Sequence, residues 1–544
     1  MGIQINKKTK SDYLIASFLA IAFISGLILL FLPTWQRQLF VGDELSTFLS
    51  ATGHLGEYRA LREVNSFPAG EWVPASEWQR FLQPESGRGL KKIAQDLSYW
   101  DIHPPLYFFL FYGWLHIFAA NQWWVGASLN LVFTLGAAVI LFHFAKQITN
   151  NRLSAFLAVV IWVLSPVFLR AAFLARQYVL LTFWTVLITW ILFRFLAASS
   201  AKEKLVYLIG LVIVSLAGLL TQYIFLLIIV AVTIVVILGN RLHPRWYLGL
   251  AIILLAGLSL LLMVFAVSPE VFGALTFLTQ GLNSLVIQWD RVPKLMETLF
   301  YLGLPIMIAL FLIVGVKTLC RFTTIELQDR DKSATNTRVN KPTIIYLVLL
   351  AIIPFGAIAV LYLIGIIPLH AMTSRYVMFL TPFVALIAMV LLANQGGNRL
   401  MFSLMGLAMF LLALVTSVTT FRTLSTYRFD PTIINSAPLV LIDRVVPVFF
   451  PLIDTEKMVF AASPPFLLEH TEDWLPNLTS EGGVYISSVM SNSREPDNTY
   501  ENRDRIVSRI EEQACLAKLT EFDGPNNATI SIYRVWNPGG TSCY

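Results

Sequence analysis

Residues 104–120 read PPLYFFLFYGWLHIFAA, and whether this apolar stretch crosses a membrane sets the sidedness of everything after it. Around it lie longer apolar runs, each near the ~20 residues an α-helix needs to span the hydrocarbon core. They fall at about 13–34, 123–145, 153–169, 178–197, 204–221, 223–239, 246–267, 297–318, 343–366, 376–393 and 400–421. Short-loop Lys and Arg accumulate on the cytoplasmic side, so Lys7, Lys8 and Lys10 start the chain there. If 104–120 does not cross, Lys146 with Arg152, Lys202 with Lys204, Arg241 with Arg245, the segment Lys317 to Lys341, and Arg399 all return to that side. If it crosses, nearly all of them flip. The stretch is therefore expected to be a helix lying at the outer interface or dipping into the membrane. Tyr107, Phe108, Phe109, Phe111, Tyr112 and Trp114 suit the headgroup level. An ordinary span is the other reading.

Composition points the same way. Of 544 residues, 56% are hydrophobic and 13% charged, where a soluble domain carries roughly 25% charged. Charges near a bilayer centre cost several kcal/mol, on the order of 3 each, and are excluded from spans. The apolar run Tyr13 to Leu32 exceeds a signal-peptide core of about 7–15 residues and shows no small-residue cleavage site; it reads as a retained first span. Three cysteines are too few for a disulfide scaffold, and no His/Cys cluster has zinc-ligand spacing. The expected class is an all-α polytopic membrane protein of about eleven transmembrane helices plus outer interfacial helices, in the cell (plasma) membrane. Its N-terminus is expected to be cytoplasmic and its C-terminal domain extracytoplasmic. The bilayer is an expected partner and nucleic acid is not.

Two regions outside the spans stand out. One is the first outer loop, 35–122, counted with a membrane domain of residues 1–422. The other is 423–544, where the sequence turns polar. There Gly483–Ser488 reads as a strand, and Asn502–Thr520 as an amphipathic helix with Ile506, Ile510 and Leu516 on one side. Ala528–Trp536 reads as a closing strand that alternates Ile530, Ile532 and Val535 with polar residues. A small extracytoplasmic α/β domain is expected. An oxidising compartment permits a Cys515–Cys543 disulfide, but Cys543 lies almost at the terminus and reads equally as a free thiol.

Four places carry chemistry. Asp43-Glu44 follows the first span; two adjacent carboxylates supply a general base and a metal or hydroxyl contact, or they are simply acids at an interface. Asp101-Ile-His103-Pro104-Pro105 precedes an apolar helix, at the positive end of its dipole. That suits a phosphate, or a plain helix cap. Arg176-Gln177-Tyr178, with Arg170 earlier, and Arg375-Tyr376 place arginines at the outer starts of two spans. This runs against the positive-inside bias and suits bidentate phosphate binding; snorkelling to lipid headgroups is the other reading. Gln222-Tyr223 sits at a tight outer turn and would line the same cavity, whereas Asp290-Arg291 reads as a surface ion pair.

Taken in order, Asp43-Glu44, His103-Pro-Pro-Leu-Tyr-Phe, Ser165-Pro166 with Arg176-Gln-Tyr178, Thr221-Gln-Tyr223 and Arg375-Tyr376 with Pro382 resemble the polytopic GT-C glycosyltransferases. More closely, they resemble the bacterial family related to protein O-mannosyltransferases and to the aminoarabinose transferases that modify lipid A. The resemblance covers roughly residues 35–385. It implies a donor sugar on a polyprenyl phosphate and an acceptor hydroxyl on a glycan, lipid or protein. It implies Asp43 as base beside Glu44, and His103, Arg176 and Arg375 at the donor phosphate. Asp101, Gln177, Tyr178, Gln222, Tyr223 and Tyr376 would line the cavity. A divalent metal is compatible with it, and so is hexosyl or pentosyl transfer with inversion. Three departures block transfer of the aminoarabinose branch's sugar to this chain. Gln222 stands where the family often has His, Ile102 stands where that branch has an acid, with Asp101 one further back, and Arg176-Gln177 stands where that branch has an aspartate.

Two other functions fit parts of the pattern. A transporter or flippase for a lipid-linked sugar also needs outer arginines, but it usually shows repeats and broken midplane helices. An assembly subunit that kept the fold and lost catalysis would have no use for Asp43.

Overall fold

The computed structural model describes residues 42–64, 66–85, 87–101, 103–118, 124–238, 289–322, 341–364, 374–394, 399–425, 431–443, 449–490, 499–523 and 528–537, with parts of 17–28. Two compact units, each discontinuous in sequence, make up the chain. The first joins residues 1–32, 102–107 and 128–420; the second joins 33–101, 108–127 and 421–544.

The first unit is helical. Among the described residues, seven helices are long and apolar enough to cross a membrane: Trp124–Thr149, Tyr178–Ala197, Ala201–Thr221, Val292–Gly315, Lys341–Leu363, Arg375–Ala393 and Leu400–Thr419. Each matches an expected span. The expected spans at 246–267 and, in large part, 13–34 lie outside the described residues. The run 223–239 forms a shorter apolar helix, Phe225–Leu238.

The run 153–169 is corrected. It is not one helix but Arg152–Val163 followed by the short Pro166–Ala171. The cause is local. Pro166 has no N–H to continue the ladder and occupies the first turn of the new helix, while the Ser165 Oγ accepts from the Phe168 N–H at 3.3 Å.

Thr381–Ala393 sits at the middle of this unit. It packs against Arg152–Val163, Val292–Phe322 and Lys341–Leu363, and the window around it is 83% buried. Tyr178–Ala197 and Ala201–Thr221 form an adjacent pair, joined by a short connection in which Ser200 caps the second helix by accepting from the Glu203 N–H at 3.2 Å. The turn after Thr221 is tight. The Gln222 N–H donates to the Gly218 carbonyl at 2.9 Å, and any Cβ at Gly218 would collide with the Phe225 ring. Glycine is what lets Gln222 close the turn.

The second unit is built on a six-stranded sheet with strand order β1-β3-β2-β4-β6-β5. The strands are β1 Val73–Pro74, β2 Leu439–Ile442, β3 Met458–Ala461, β4 Gly483–Met490, β5 Cys515–Asp523 and β6 Ala528–Trp536. β2 runs parallel to both β3 and β4. It is buried at all four residues, as a strand covered on both faces must be. β1 comes from the first loop and pairs antiparallel with β3. Beside it, Trp78 stacks on Phe450 at 4.6 Å, and the Gln79 side-chain amide donates to the Phe450 and Ile453 carbonyls at 2.9 and 2.7 Å.

The expected helix at 502–520 is also corrected. It runs Tyr500–Glu511, capped by Thr499, and residues 515–523 form β5, a hairpin partner of β6. Pairing with the β6 backbone overrides the extension of the helical pattern of Ile506 and Ile510 as far as Leu516. Cys515 is disulfide-bonded; Cys543, its expected partner, lies outside the described residues.

At the end of β2, the buried Asp443 carboxylate accepts from the Tyr485 hydroxyl at 2.8 Å and the Ser488 N–H at 3.1 Å. It thereby ties β2 to β4. Burial, and then the Asp443 charge, push the Tyr485 hydroxyl pKa well above its ordinary value, so it stays a donor. Asp443→Ala is expected to destabilise the sheet by about 3 kcal/mol, because a fully buried hydroxyl and an amide lose their acceptor. Hydrogen exchange in the full chain should accelerate at 439–442 and 483–490. Unchanged exchange there would contradict this role.

The first loop forms helices Gly42–Thr52, Leu55–Val64 and Leu90–Trp100. The opening stretch forms Leu106–Leu115. Ten residues rise about 15 Å, half of a ~30 Å hydrocarbon core. Phe108 packs with Ile93 and Leu97, and Phe111 meets Phe48 edge-on at 4.9 Å, while Leu110 and Ile117 are exposed.

Under this layer His54 is fully buried, edge-on to Phe81, with its Nε2 3.4 Å from Glu85 Oε1. Burial, and then the Arg88 charge, hold the His54 pKa below its ordinary 6.5, against the pull of Glu85 and Glu57. Burial raises the Glu85 carboxyl. Its hydrogen bond to Arg88 and the nearby His54 and Arg88 charges outweigh that, and the net shift is downward. Both folded-state values are depressed. Each group therefore contributes stability above its unfolded value that is lost as pH falls through the folded one. Acidification below about pH 6.5 is expected to loosen residues 53–92, increasingly so below the carboxylate range. Limited proteolysis of this loop should speed up between pH 7.5 and pH 4.5; equal rates would contradict the assignment.

Candidate active site

Within the first unit, four segments meet that the sequence keeps far apart. The break at Ser165-Pro166 turns the chain into Pro166–Ala171 and an irregular stretch that ends at Gln177, where Tyr178–Ala197 begins. That stretch carries Arg176. It is 6% exposed, and its Nη2 lies 3.2 Å from His103 Nε2. A guanidinium nitrogen is always a donor, so Nε2 accepts and the His103 proton sits on Nδ1 in this contact. Gln177 is fully buried, and its amide nitrogen donates to Gln222 Oε1 at 3.2 Å. Behind it, Trp184 Nε1 donates to Thr221 Oγ1 at 3.0 Å. These two bonds tie the first half of Tyr178–Ala197 to the end of Ala201–Thr221.

Arg375 and Tyr376 stand on Ser374–Val377, which packs against Pro166–Ala171. The Tyr376 ring lies 5.6 Å from the Tyr178 ring at 58°. Its side chain hydrogen-bonds Tyr178 and interacts electrostatically with both Arg176 and Arg375. Two arginines, a histidine and two tyrosines thus gather where two candidate spans begin. Helix N-termini carry partial positive charge, which adds to that of the guanidinium groups. Planar guanidinium groups match phosphate oxygens in pairs. The arrangement is chemically suited to a phosphate.

Tyr223 follows Gln222 in the tight turn and is half-buried. Arg170, which the sequence groups with Arg176, lies over the Tyr301 ring at 4.1 Å. Arg291 donates to the Tyr362 carbonyl at 3.0 Å and lies over its ring, so it holds a helix end.

Asp43, Glu44 and Asp101 belong to the second unit. Asp43 is half-buried and Glu44 fully buried in the first turn of Gly42–Thr52, where the helix dipole favours carboxylates. The Asp43 carbonyl also accepts from Thr47 Oγ1 at 3.1 Å. Asp101 caps the end of Leu90–Trp100, its N–H donating to the Leu97 carbonyl. Among the described residues, no three His, Cys, Asp or Glu side chains are grouped as metal ligands.

Sequence reasoning missed Asn130. This residue is 1% exposed, inside Trp124–Thr149, and bonded to both the Tyr107 and Leu174 neighbourhoods. The available signal is an amide within a long apolar run, a group that a membrane helix does not bury without a partner.

No family model and no curated protein sequence matches this chain. Two of the solved structures similar to it show the range of the likeness. One is ArnT from Cupriavidus metallidurans bound to undecaprenyl phosphate, at 11% identity and TM-score 0.47, over 96% of this chain and 98% of that one. The other is the Archaeoglobus fulgidus oligosaccharyltransferase tethered with an acceptor peptide containing the NVT sequon. It is matched at 13% identity and TM-score 0.40, over 84% of this chain and 64% of that one. Likeness this distant assigns neither activity nor ligand here; the side chains around Arg176 carry the functional reading.

Proposed function

We propose that this protein transfers a sugar from a polyprenyl-phosphate-linked donor to an acceptor hydroxyl on the extracytoplasmic side of the membrane. The observation that carries the reading is the meeting of Arg176, with His103 on its guanidinium, and Arg375 at the Tyr178–Tyr376 pair. These groups stand where two helices suited to crossing a membrane begin. A phosphate whose lipid lies in the bilayer has its charge at that level.

In this mechanism His103, Arg176 and Arg375 hold the donor phosphate. Gln177, Tyr178, Gln222, Tyr223 and Tyr376 shape the surrounding pocket. The acceptor oxygen attacks the anomeric carbon. As that bond forms, the bond from the anomeric carbon to the phosphate oxygen breaks, and its electron pair goes to the phosphate. The acceptor proton goes to Asp43, and Glu44 supports that carboxylate. The arginines stabilise the charge that builds on the leaving phosphate. Backside attack inverts the anomeric centre. The sugar is a hexose or pentose, and the acceptor a glycan, lipid or protein.

The test is transfer by the purified full chain from a panel of polyprenyl-phosphate sugars to an acceptor hydroxyl. Turnover with one donor of the panel is expected. No turnover with any donor, together with movement of labelled lipid between vesicle leaflets, would overturn the reading in favour of a flippase.

A further inference from the structure

Asn130 stands at the vertex of a closed ring of interactions within the first unit. Its side-chain nitrogen donates to the Ala172 carbonyl at 3.1 Å and to the Leu174 carbonyl. The same Leu174 carbonyl accepts from the Arg176 backbone N–H at 2.6 Å. The Arg176 guanidinium meets His103 Nε2 at 3.2 Å. Tyr107, four residues on from His103, closes the circuit by donating its hydroxyl to Asn130 Oδ1 at 3.3 Å. The two segments that carry the phosphate-binding side chains are therefore fastened to one amide.

The chemistry of that position is demanding. Segment 172–176 is irregular, so the Ala172 and Leu174 carbonyls lie outside the regular helical ladder. In an apolar span, an amide supplies two donors and an acceptor together. A hydroxyl offers only one donor, and an ionised carboxylate, which only accepts, bonds neither the Ala172 nor the Leu174 carbonyl. Burying the amide costs free energy unless its hydrogen bonds are made, and here three are made. Guanidinium position decides how well a bidentate phosphate contact forms, because the fork is rigid.

We propose that Asn130 is a positioning residue. It holds the His103 and Arg176 segments at the separation that a phosphate requires, and it acts through Arg176 without touching the ligand. The proposal rests on the reading of His103 and Arg176 as the phosphate site.

The experiment titrates a polyprenyl monophosphate in detergent against the full-length wild type and the Asn130→Ala, Tyr107→Phe, Arg176→Ala and Arg176→Ala/Asn130→Ala variants. Thermal unfolding is followed in parallel. Tyr107→Phe removes one oxygen and keeps the ring, so it reads out the circuit even if Asn130→Ala does not fold. Tyr107→Phe is expected to weaken the affinity about threefold to tenfold, and Asn130→Ala at least tenfold, the range in which lost neutral hydrogen bonds are expressed. In the Arg176→Ala background, loss of Asn130 should weaken binding no further, because the residue it positions is gone.

Equal weakening by Asn130→Ala with and without Arg176 would mark a general structural role and overturn the proposal. Wild-type affinity in both Tyr107→Phe and Asn130→Ala, beside a weakened Arg176→Ala, would overturn the positioning role while leaving the phosphate site intact. Wild-type affinity in Arg176→Ala would overturn the phosphate site itself, and the positioning role with it.

Discussion

Arg176→Ala is expected to lower the affinity for a polyprenyl monophosphate by about a hundredfold, since charge-assisted bidentate bonds to a phosphate are worth roughly 3 kcal/mol. The effect is large because Arg176 is 6% exposed, and a contact away from bulk water is screened little by salt. Arg176→Lys should recover only part of this. A lysine ammonium is a point charge and cannot reproduce the fork that meets both His103 and a phosphate. Binding titrations at two salt concentrations check both statements. Unchanged affinity in Arg176→Ala would remove the anion site from the account.

Asp43→Asn is expected to slow sugar transfer by about 10²–10⁴-fold, the range that a general base supplies, with donor affinity close to wild type. The substitution keeps size and removes only the capacity to take a proton. Asp43 sits in the first turn of Gly42–Thr52, where a neutral amide is tolerated as a helix-start residue, so folding is not expected to suffer. Single-turnover transfer with saturating donor separates the two effects. Lost donor binding with an unchanged transfer rate per bound donor would contradict the role of Asp43.

The spans were legible because a hydrophobic run of helical length admits one reading in a membrane. Tyr178–Ala197, Ala201–Thr221 and Lys341–Leu363 follow from composition alone. The break at Ser165-Pro166 was not read, although a cap residue followed by proline marks it, because hydropathy averages over it. The sheet was harder. β6 carries an alternating pattern, and β4 a short β-branched and aromatic run at Val484, Tyr485 and Ile486. β2 and β3 are four residues each and uniformly apolar, which fits several local structures. β1 is two residues, and its partner β3 lies in the C-terminal segment; no local pattern encodes such a pairing.

In the candidate site, the arginines were singled out because arginine at a span start is unusual. Their arrangement was not. The contact of Arg176 with His103 depends on an irregular backbone at 172–177, and that backbone depends on the Asn130 amide. Arg170 shows the converse. It reads like Arg176 in the sequence, yet it is taken up by the Tyr301 ring.

The most direct test of the central claim is a density map of the full-length protein with a polyprenyl-phosphate sugar bound. The account predicts the phosphate within hydrogen-bonding distance of the Arg176 and Arg375 guanidinium groups, beside His103 and Tyr376. A phosphate held elsewhere, with these side chains unchanged and out of contact with it, would contradict the account.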